Sequence, residues 1–210
     1  ITSLCAPPTI FRFLIKEDIS KYDLSSLEYC TTAGEALNYS VYETFLKITG
    51  IRLMEGFGQT ETTCLIGNLY GREYKLGAMG KPVPLYDVDI VDPDGNSVDV
   101  GENGEIVVNV KDGAPCGLFT GYYGAPEKTA EVLKDGWFYT GDLGRKDKDG
   151  FIFICGRKKN VIVTKNGKNI FPEEVEYYLQ KSEYIAEVMV TGVDDPKSGD
   201  VIVTAEIFPN

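Results

Sequence analysis

Four short segments carry residue types that together suit the binding of a nucleotide monophosphate. Phe57 offers an aromatic face on which a base can stack, and Thr60 and Glu61 place a hydroxyl beside a carboxylate, as a phosphate and its metal require. Asp142 can accept hydrogen bonds from a ribose, and Arg157 supplies a permanent cation. In chain order the segments are AGEAL (33–37), GFGQTE (56–61), WFYTGDLG (137–144) and GRKKNVIV (156–163).

Composition excludes several classes of protein. The chain has 210 residues and a net charge of −11, which disfavours nucleic acid and anionic membrane surfaces as partners. No apolar run approaches the roughly 20 residues that cross a bilayer, so no integral membrane segment is expected. Histidine is absent, which rules out Ser-His-Asp hydrolysis and His-ligated metal sites within these residues. The chemistry must use carboxylates, hydroxyls, cations and bound metal.

The cysteines and the first residues of the chain indicate where in the cell the protein is expected and whether the chain is expected to be a fragment. Five scattered cysteines without a CxxC pair predict neither a zinc site nor a disulfide framework, and a reducing cytoplasm is expected. The opening ITSLCAPPTI lacks both Met and the basic-then-apolar pattern of a signal peptide. We therefore expect an internal start, and hence a fragment.

The pattern of elements predicts an α/β fold with a β-rich barrel-like portion, followed by a small α+β domain. Strand 27–32, a helix over 40–49 capped by Asn38 or Ser40, and strand 51–56 indicate the α/β part, with a turn expected directly afterwards at GFGQTE. Alternating segments that flank DPDG and DKDG turns indicate a β-rich middle. Its predicted elements are strands YDVDIVD (86–92), EIVVNV (105–110) and FIFIC (151–155) and a helix that starts at Pro126.

A boundary is expected near Lys159, which divides the chain into residues 1–158 and residues 159–210. After it come a strand, a KNGK turn, a helix from Pro172 and two further strands. Residues 157–168 also hold five cations without an acid: Arg157, Lys158, Lys159, Lys165 and Lys168. Such a run is either a solvated hairpin or, beside a nucleotide, a positive lid over a polyphosphate.

The ordered motifs resemble the AMP-forming adenylating superfamily of acyl-CoA synthetases, peptide-synthetase adenylation domains and luciferases. CAPPTIFRFLIKED, EGFGQTE and GYYGAPEKTAEVLKDGWFYTGD are most similar to medium-chain acyl-CoA synthetases. GRKKNVIVTKNGKNIFPEEVE looks more like the long-chain fatty acyl-CoA synthetases. The resemblance implies that 1–158 is the C-terminal portion of the large AMP-binding domain. It also implies that 159–210 is the first part of the small mobile C-terminal domain.

The resemblance assigns roles to the first two motifs. Ala33, Gly34 and Glu35 match the segment that walls the adenine pocket, although a simple turn also explains the glycine. Phe57 matches the adenine-stacking aromatic; packing in the core is the alternative. Gly58 and Gln59 belong to the same nucleotide-binding segment. Thr60 matches the hydroxyl that contacts the α-phosphate and Glu61 the Mg²⁺ ligand, whereas a helix-capping pair is the plain alternative.

The later motifs complete the implied site. Asp142 matches the aspartate that accepts bonds from both ribose hydroxyls, and Arg157 the arginine that reaches ribose and phosphate; a plain turn and a surface ion pair are the alternatives. Ile154 matches an apolar residue against the ribose. Lys159 matches the hinge about which the small domain rotates. The remaining matches are Gly167, which lines the pantetheine tunnel, and Lys168, a phosphate partner.

The implied activity is ATP-dependent activation of a fatty acid as an acyl-adenylate, with Mg²⁺, followed by transfer to coenzyme A. Acetate-specific relatives carry a tryptophan where this chain has Gly58, so a medium- or long-chain fatty acid is expected over acetate; Gly58 as simply a turn residue is the alternative. The family's phosphate loop would lie upstream of Ile1 and its catalytic lysine beyond Asn210, so this chain alone is expected to be inactive. Alternatives are an amino-acid-activating adenylation domain and a non-catalytic nucleotide-binding relative.

Overall fold

The first part of the chain builds a mixed five-stranded sheet in the order β1-β2-β3-β4-β5. The computed structural model describes residues 1–35, 37–182, 184–196 and 199–210. Strands β1 to β3 run parallel, and β3 to β5 are antiparallel. The elements are β1 (Ser3–Cys5), α1 (Pro8–Leu14), β2 (Tyr29–Thr32), α2 (Tyr39–Thr49), β3 (Leu53–Gln59), β4 (Thr63–Gly67) and β5 (Lys81–Pro82).

Helix α2 forms where the sequence predicts it, for the predicted reasons. The Asn38 Oδ1 atom accepts a hydrogen bond from the Ser40 backbone N–H at 2.8 Å and so satisfies one of the free donors of the first turn. Gly50 ends the helix with a φ of 72°, a conformation that costs glycine little. The buried face of α2 packs with Phe11 of α1 and Leu53 of β3.

The middle of the chain forms an antiparallel sheet that curls into a half-barrel, as expected. Its strand order is β10-β9-β7-β6, and β8 pairs with β9. The core of the half-barrel includes Ile106, Phe138 and Ile152, all almost fully buried. The elements are β6 (Val88–Val91), β7 (Gly104–Asn109), α3 (Pro126–Val132), β8 (Leu133–Lys134), β9 (Trp137–Lys146) and β10 (Ile152–Arg157).

One local prediction and one of the alternatives are wrong. Strand β3 continues through Gln59 instead of turning at Gly56, because it pairs with β4 across a bulge at Phe57 and Gly58. The alternative that GDLG is a plain turn also fails, since Asp142 lies inside the ten-residue strand β9. The long partners β7 and β10 hold this strand on both sides and override the turn propensity of its glycines.

The described residues of 159–210 form two hairpins and one helix, in agreement with the α+β prediction. A 3₁₀ turn, Lys158–Asn160, leads into this part. Its apolar core is small and is built on Ile162, Val188 and Val190. The elements are β11 (Ile162–Val163), β12 (Asn169–Ile170), α4 (Pro172–Leu179), β13 (Ile185–Asp195) and β14 (Asp200–Pro209). Within the described residues, every helix is too short or too polar to cross a bilayer.

Candidate nucleotide-binding site

An open cavity of about 1000 Å³ lies between the β3–β4 hairpin and the half-barrel. The structure brings most of the predicted site residues to it, from three separate motifs. These are Ala33, Gly34, Phe57, Gly58, Gln59, Thr60, Glu61 and Arg157. Phe57 both lines the cavity and packs against the half-barrel core, so the stacking and packing interpretations are compatible.

The β3–β4 hairpin owes its shape to Gly58. A Cβ atom there would lie 1.8 Å from the Thr63 carbonyl oxygen, so only glycine lets the two strands approach this closely. The Thr62 hydroxyl accepts a hydrogen bond from the Gln59 backbone N–H at 3.0 Å and closes the turn. Gly58 is therefore needed for a backbone contact, independently of any acyl chain. No helix begins at Thr60, so a helix-capping role for Thr60 and Glu61 is wrong.

Asp142 is almost fully buried beneath the cavity, and both of its carboxylate oxygens have partners. Arg157 Nε donates to Oδ1 at 2.8 Å. Gln59 Nε2 donates to Oδ2 and also to the Thr140 carbonyl oxygen, the latter at 2.8 Å. Burial raises the pKa of Asp142, while Arg157 and Gln59 oppose that rise. The arrangement is a buried carboxylate fixed between a guanidinium and a side-chain amide, both of which belong to residues that line the cavity.

The strand register explains why Arg157 meets Asp142. The two residues are opposite each other in the antiparallel β9–β10 pair, and a register shift between Ile154 and Gly156 sets that pairing. Arg157 is half exposed, whereas its partner carboxylate is 6% exposed. The predicted alternative, an ordinary surface ion pair, therefore does not describe this contact.

A second buried carboxylate, missed by the sequence analysis, supports the same strand. Glu105 is 7% exposed and accepts hydrogen bonds from the Gly141 N–H at 3.1 Å and from Lys158 Nζ at 2.7 Å. It therefore ties β7 to the residue before Asp142 and to the residue after Arg157. The available signal was an acidic residue directly before the apolar run IVV in the predicted strand EIVVNV.

Glu61 lies at the cavity with one oxygen engaged. The Tyr122 hydroxyl donates to Glu61 Oε1 at 2.9 Å, and among the described residues no hydrogen bond reaches Oε2. No cluster of three or more His, Cys, Asp or Glu that could hold a metal by itself occurs in the described part of the chain. One open carboxylate suits Mg²⁺ that arrives with nucleotide phosphates, because such sites use one or two carboxylates and several waters. The residues present fit the ion in that form.

Six predicted site residues do not line the cavity: Glu35, Asp142, Ile154, Lys159, Gly167 and Lys168; of these, Asp142 lies beneath it, next to the lining residues Gly141 and Arg157. Glu35 accepts a hydrogen bond from the Thr9 hydroxyl at 2.7 Å, and Ile154 packs against the half-barrel core. The other three lie in residues 159–210, in the 3₁₀ turn Lys158–Asn160 and in the β11–β12 hairpin. Ala36, part of the AGEAL segment, lies outside the described residues.

The chain belongs to the AMP-binding enzyme family. The model of that family matches residues 1–123. Among curated relatives, the human mitochondrial acyl-coenzyme A synthetase ACSM3 is 42% identical over 202 residues, covering 96% of this chain and 34% of the relative. The human mitochondrial ACSM5 enzyme is also 42% identical, covering 96% and 35%. The chain thus spans about a third of the length of the curated relatives it matches.

Solved structures agree with this membership. ATP-bound MatB from Rhodopseudomonas palustris superimposes with a TM-score of 0.89 at 29% identity, covering 100% of this chain and 41% of that one. The anthranilate CoA ligase AuaEII in complex with anthranoyl-AMP gives 0.86 at 29% identity, covering 99% and 39%. The resemblance stated from the motifs is confirmed by these matches.

The expected cytoplasmic location is wrong. The curated relatives that the chain matches at about 40% identity are mitochondrial acyl-coenzyme A synthetases. The cytoplasm was expected from the spacing of the five cysteines alone. Free thiols report only on redox conditions, so they could not distinguish one reducing compartment from another.

Proposed function

We propose that this chain is part of an ATP-dependent, AMP-forming acyl-CoA synthetase, an acid–thiol ligase that activates a fatty acid. The single observation that carries the proposal is the buried Asp142 carboxylate, held by Arg157 and Gln59 directly below a cavity that Phe57 and Glu61 also line. The acyl-coenzyme A synthetase names of the relatives and the ATP-bound and acyl-AMP-bound structural neighbours support it.

In this proposal each motif contacts a different part of the nucleotide. Phe57 stacks on the adenine, against a wall formed by Ala33 and Gly34. Asp142 accepts hydrogen bonds from the ribose hydroxyls, and Arg157 bridges ribose and phosphate. Such charge-assisted hydrogen bonds contribute about 1.5–3 kcal/mol each, more than neutral ones. Thr60 contacts the α-phosphate.

The reaction proceeds in two steps. A fatty-acid carboxylate oxygen forms a bond to the α-phosphorus of ATP, and the bond to the β-phosphate oxygen breaks, so pyrophosphate leaves. The coenzyme A sulfur then bonds to the acyl carbon, the carbon–oxygen bond to AMP breaks, and the thiol proton passes to solvent. Neither step requires histidine. Glu61 would hold Mg²⁺, which when bound offsets the negative charge on the phosphate oxygens.

The division into residues 1–158 and 159–210 is also proposed to be functional. Lys159 lies in the 3₁₀ turn between the half-barrel and the C-terminal elements, where a torsion change would reorient everything that follows. Gly167 and Lys168 lie away from the cavity, so their roles with pantetheine and phosphate are proposed for a second orientation of residues 159–210.

Chain length and location follow from the relatives and the residues. We propose a medium- or long-chain fatty acid as substrate, in preference to acetate, and a mitochondrial location like that in the relatives' names. Gly58→Trp is not a clean test of chain length, because even an alanine Cβ would collide with the Thr63 carbonyl. A panel of acids is the better test.

The decisive experiment measures AMP release by the full-length protein with ATP, Mg²⁺ and coenzyme A. Acetate, octanoate, palmitate and a panel of amino acids are compared. Fatty-acid-dependent AMP release that is lost in Asp142→Ala supports the proposal and ranks the chain lengths. Amino-acid-dependent release would identify an adenylation domain instead. Measurable AMP binding without turnover of any carboxylate would indicate a non-catalytic nucleotide-binding protein.

A further inference from the structure

We propose that Tyr122 is a positioning residue that orients the Glu61 carboxylate toward a divalent cation carried by the phosphates of the nucleotide. The inference rests on the proposed function, because it takes Glu61 as the residue that holds the metal. It assigns to Tyr122 a task that none of the four motifs predicts. The observation behind it is the 2.9 Å hydrogen bond from the Tyr122 hydroxyl to Glu61 Oε1.

The two carboxylate oxygens of Glu61 differ in their hydrogen bonding. Oε1 receives the tyrosine hydroxyl, whereas Oε2 receives no hydrogen bond from the described residues and belongs to a side chain that lines the cavity. A glutamate has three rotatable side-chain bonds, and an exposed one samples many rotamers. Fixing one oxygen confines the other to the cavity side, so less entropy is lost when a cation binds.

The backbone of Glu61 is fixed by the same loop. The Phe119 N–H donates to the Glu61 carbonyl oxygen at 2.7 Å, and the Phe119 ring packs edge-on against Tyr122 at a centroid distance of 4.9 Å. Residues 119–122 therefore hold Glu61 at two points, one on the main chain and one on the side chain. Two anchors from one loop favour a positioning role over a chance surface contact.

The backbone of Tyr122 is fixed by a contact with helix α3. Its backbone N–H donates to Thr129 Oγ1 at 2.9 Å, and Thr129 lies on α3. Gly121 makes that approach possible, since a Cβ atom there would lie 3.0 Å from the Thr129 methyl carbon. Tyr122 thus connects helix α3, through its backbone N–H, to the β3–β4 hairpin, through its hydroxyl.

A neutral donor suits this position better than a cation. A lysine or arginine would neutralise Glu61 and compete with the metal, whereas a phenol orients the carboxylate and leaves its charge intact.

The test compares Tyr122→Phe with Tyr123→Phe in the full-length protein. Both variants remove one phenolic hydroxyl, but the Tyr123 side chain is fully exposed and the Tyr122 side chain is only 36% exposed. Binding of Mn²⁺ is measured by electron paramagnetic resonance in the presence of a non-hydrolysable ATP analogue. We expect Tyr122→Phe to raise the Mn²⁺ dissociation constant about tenfold, the lower end of the range for partners of metal ligands. Tyr123→Phe should change it by less than about twofold.

A double-mutant cycle with Glu61→Gln separates positioning from general damage. If Tyr122 acts through Glu61, Tyr122→Phe should have no further effect on metal binding in the Glu61→Gln background. The proposal is overturned if Tyr122→Phe leaves the Mn²⁺ constant unchanged, if its effect persists without Glu61, or if the wild-type complex binds no Mn²⁺. Silence toward every carboxylate with metal binding intact would reject the proposed ligase activity alone.

Discussion

The surroundings of the cavity and the C-terminal residues 159–210 are stabilised in different ways. Beside the cavity, the buried carboxylates of Asp142 and Glu105 each meet a cation, Arg157 at 2.8 Å and Lys158 at 2.7 Å. In residues 159–210, large apolar side chains on the long β13–β14 hairpin, such as Met189 and Phe208, are about half exposed. Among the described residues of this second region, the core cluster has three buried members, Ile162, Val188 and Val190.

This difference indicates how much movement the contacts of each region tolerate. Buried charge pairs tolerate little movement, because a displaced partner leaves an unpaired charge in a low dielectric. The cavity is therefore preorganised in the present arrangement. The C-terminal residues depend more on backbone pairing than on a core; their movement relative to the cavity is part of the proposed function.

The largest expected effect comes from adding one methyl group at the bulge of β3. Gly58→Ala would place Cβ 1.8 Å from the Thr63 carbonyl oxygen, so the two strands of the hairpin must separate. We expect a loss of about 3 kcal/mol in unfolding free energy, at the upper end for overpacking. Urea denaturation of the full-length protein, followed by circular dichroism, measures it.

Gly56→Ala is the matched control for stability, since its Cβ would lie 3.6 Å from both Cys64 Sγ and the Ile66 carbonyl oxygen, an ordinary contact. It should cost less than about 1 kcal/mol. Equal losses in the two variants would contradict the claim that close strand approach shapes this wall of the cavity.

Removal of the buried carboxylate beneath the cavity ranks second. Asp142→Ala deletes the group that Arg157 and Gln59 hold, and with it the proposed ribose acceptor. A charge-assisted hydrogen bond of about 1.5–3 kcal/mol corresponds to a tenfold to hundredfold loss of AMP affinity. Isothermal titration calorimetry with AMP measures the change. Asp94→Ala, an exposed carboxylate at the same cavity, is the control; equal losses in both would show that Asp142 is not specific.

Glu55 tests whether every buried acid near the cavity needs a cation. It is 7% exposed, no cation among the described residues pairs with it, and burial raises its pKa from 4.5 to about 7. Between these values the folded protein keeps a proton that the unfolded chain releases, so stability falls as pH rises through this window. Glu55→Gln removes that penalty and should stabilise the protein by about 1–2 kcal/mol at about pH 8.

The same substitution should give little gain below about pH 4.5, where the carboxyl is protonated in both states. Urea midpoints of the variant and the wild type at the two pH values provide the comparison. A stabilisation that is independent of pH would mean that Glu55 does not titrate in this window. A destabilisation at pH 8 would mean that its negative charge is needed for the fold.

Local signals predicted the elements well and the supporting contacts poorly. Chemistry within a few residues marks where the helices begin and end, and the structure agrees. The helix starts are marked by the Asn38 cap and by the prolines at 126 and 172, and one helix end is marked by Gly50. Asp142 and Arg157 were expected to share a site because their motifs match a family, whereas the β9–β10 register that opposes them depends on a bulge. Sequence periodicity does not encode such a long-range contact.

The supporting residues were missed for the same reason. Glu105 and Tyr122 lie 36 and 61 positions from the residues that they contact, Gly141 and Glu61. Nothing in the string GYYG distinguishes Tyr122, which is held against Glu61, from Tyr123, which is fully exposed. Only the path of the loop over the β3–β4 hairpin separates the two tyrosines.

The smallest expected effect probes the C-terminal region. Lys168 is exposed in the β11–β12 hairpin and does not line the cavity. Lys168→Ala should therefore change AMP affinity by less than about twofold, the scale of an ordinary surface substitution.

If Lys168 acts in a second orientation, the same variant should slow coenzyme A-dependent release of AMP from a preformed acyl-adenylate, measured in single turnovers. Lys148→Ala, an exposed lysine of the half-barrel, controls for loss of charge. A tenfold loss of AMP affinity in Lys168→Ala alone would mean that the β11–β12 hairpin closes over the nucleotide. The cavity and residues 159–210 would then work as one rigid site.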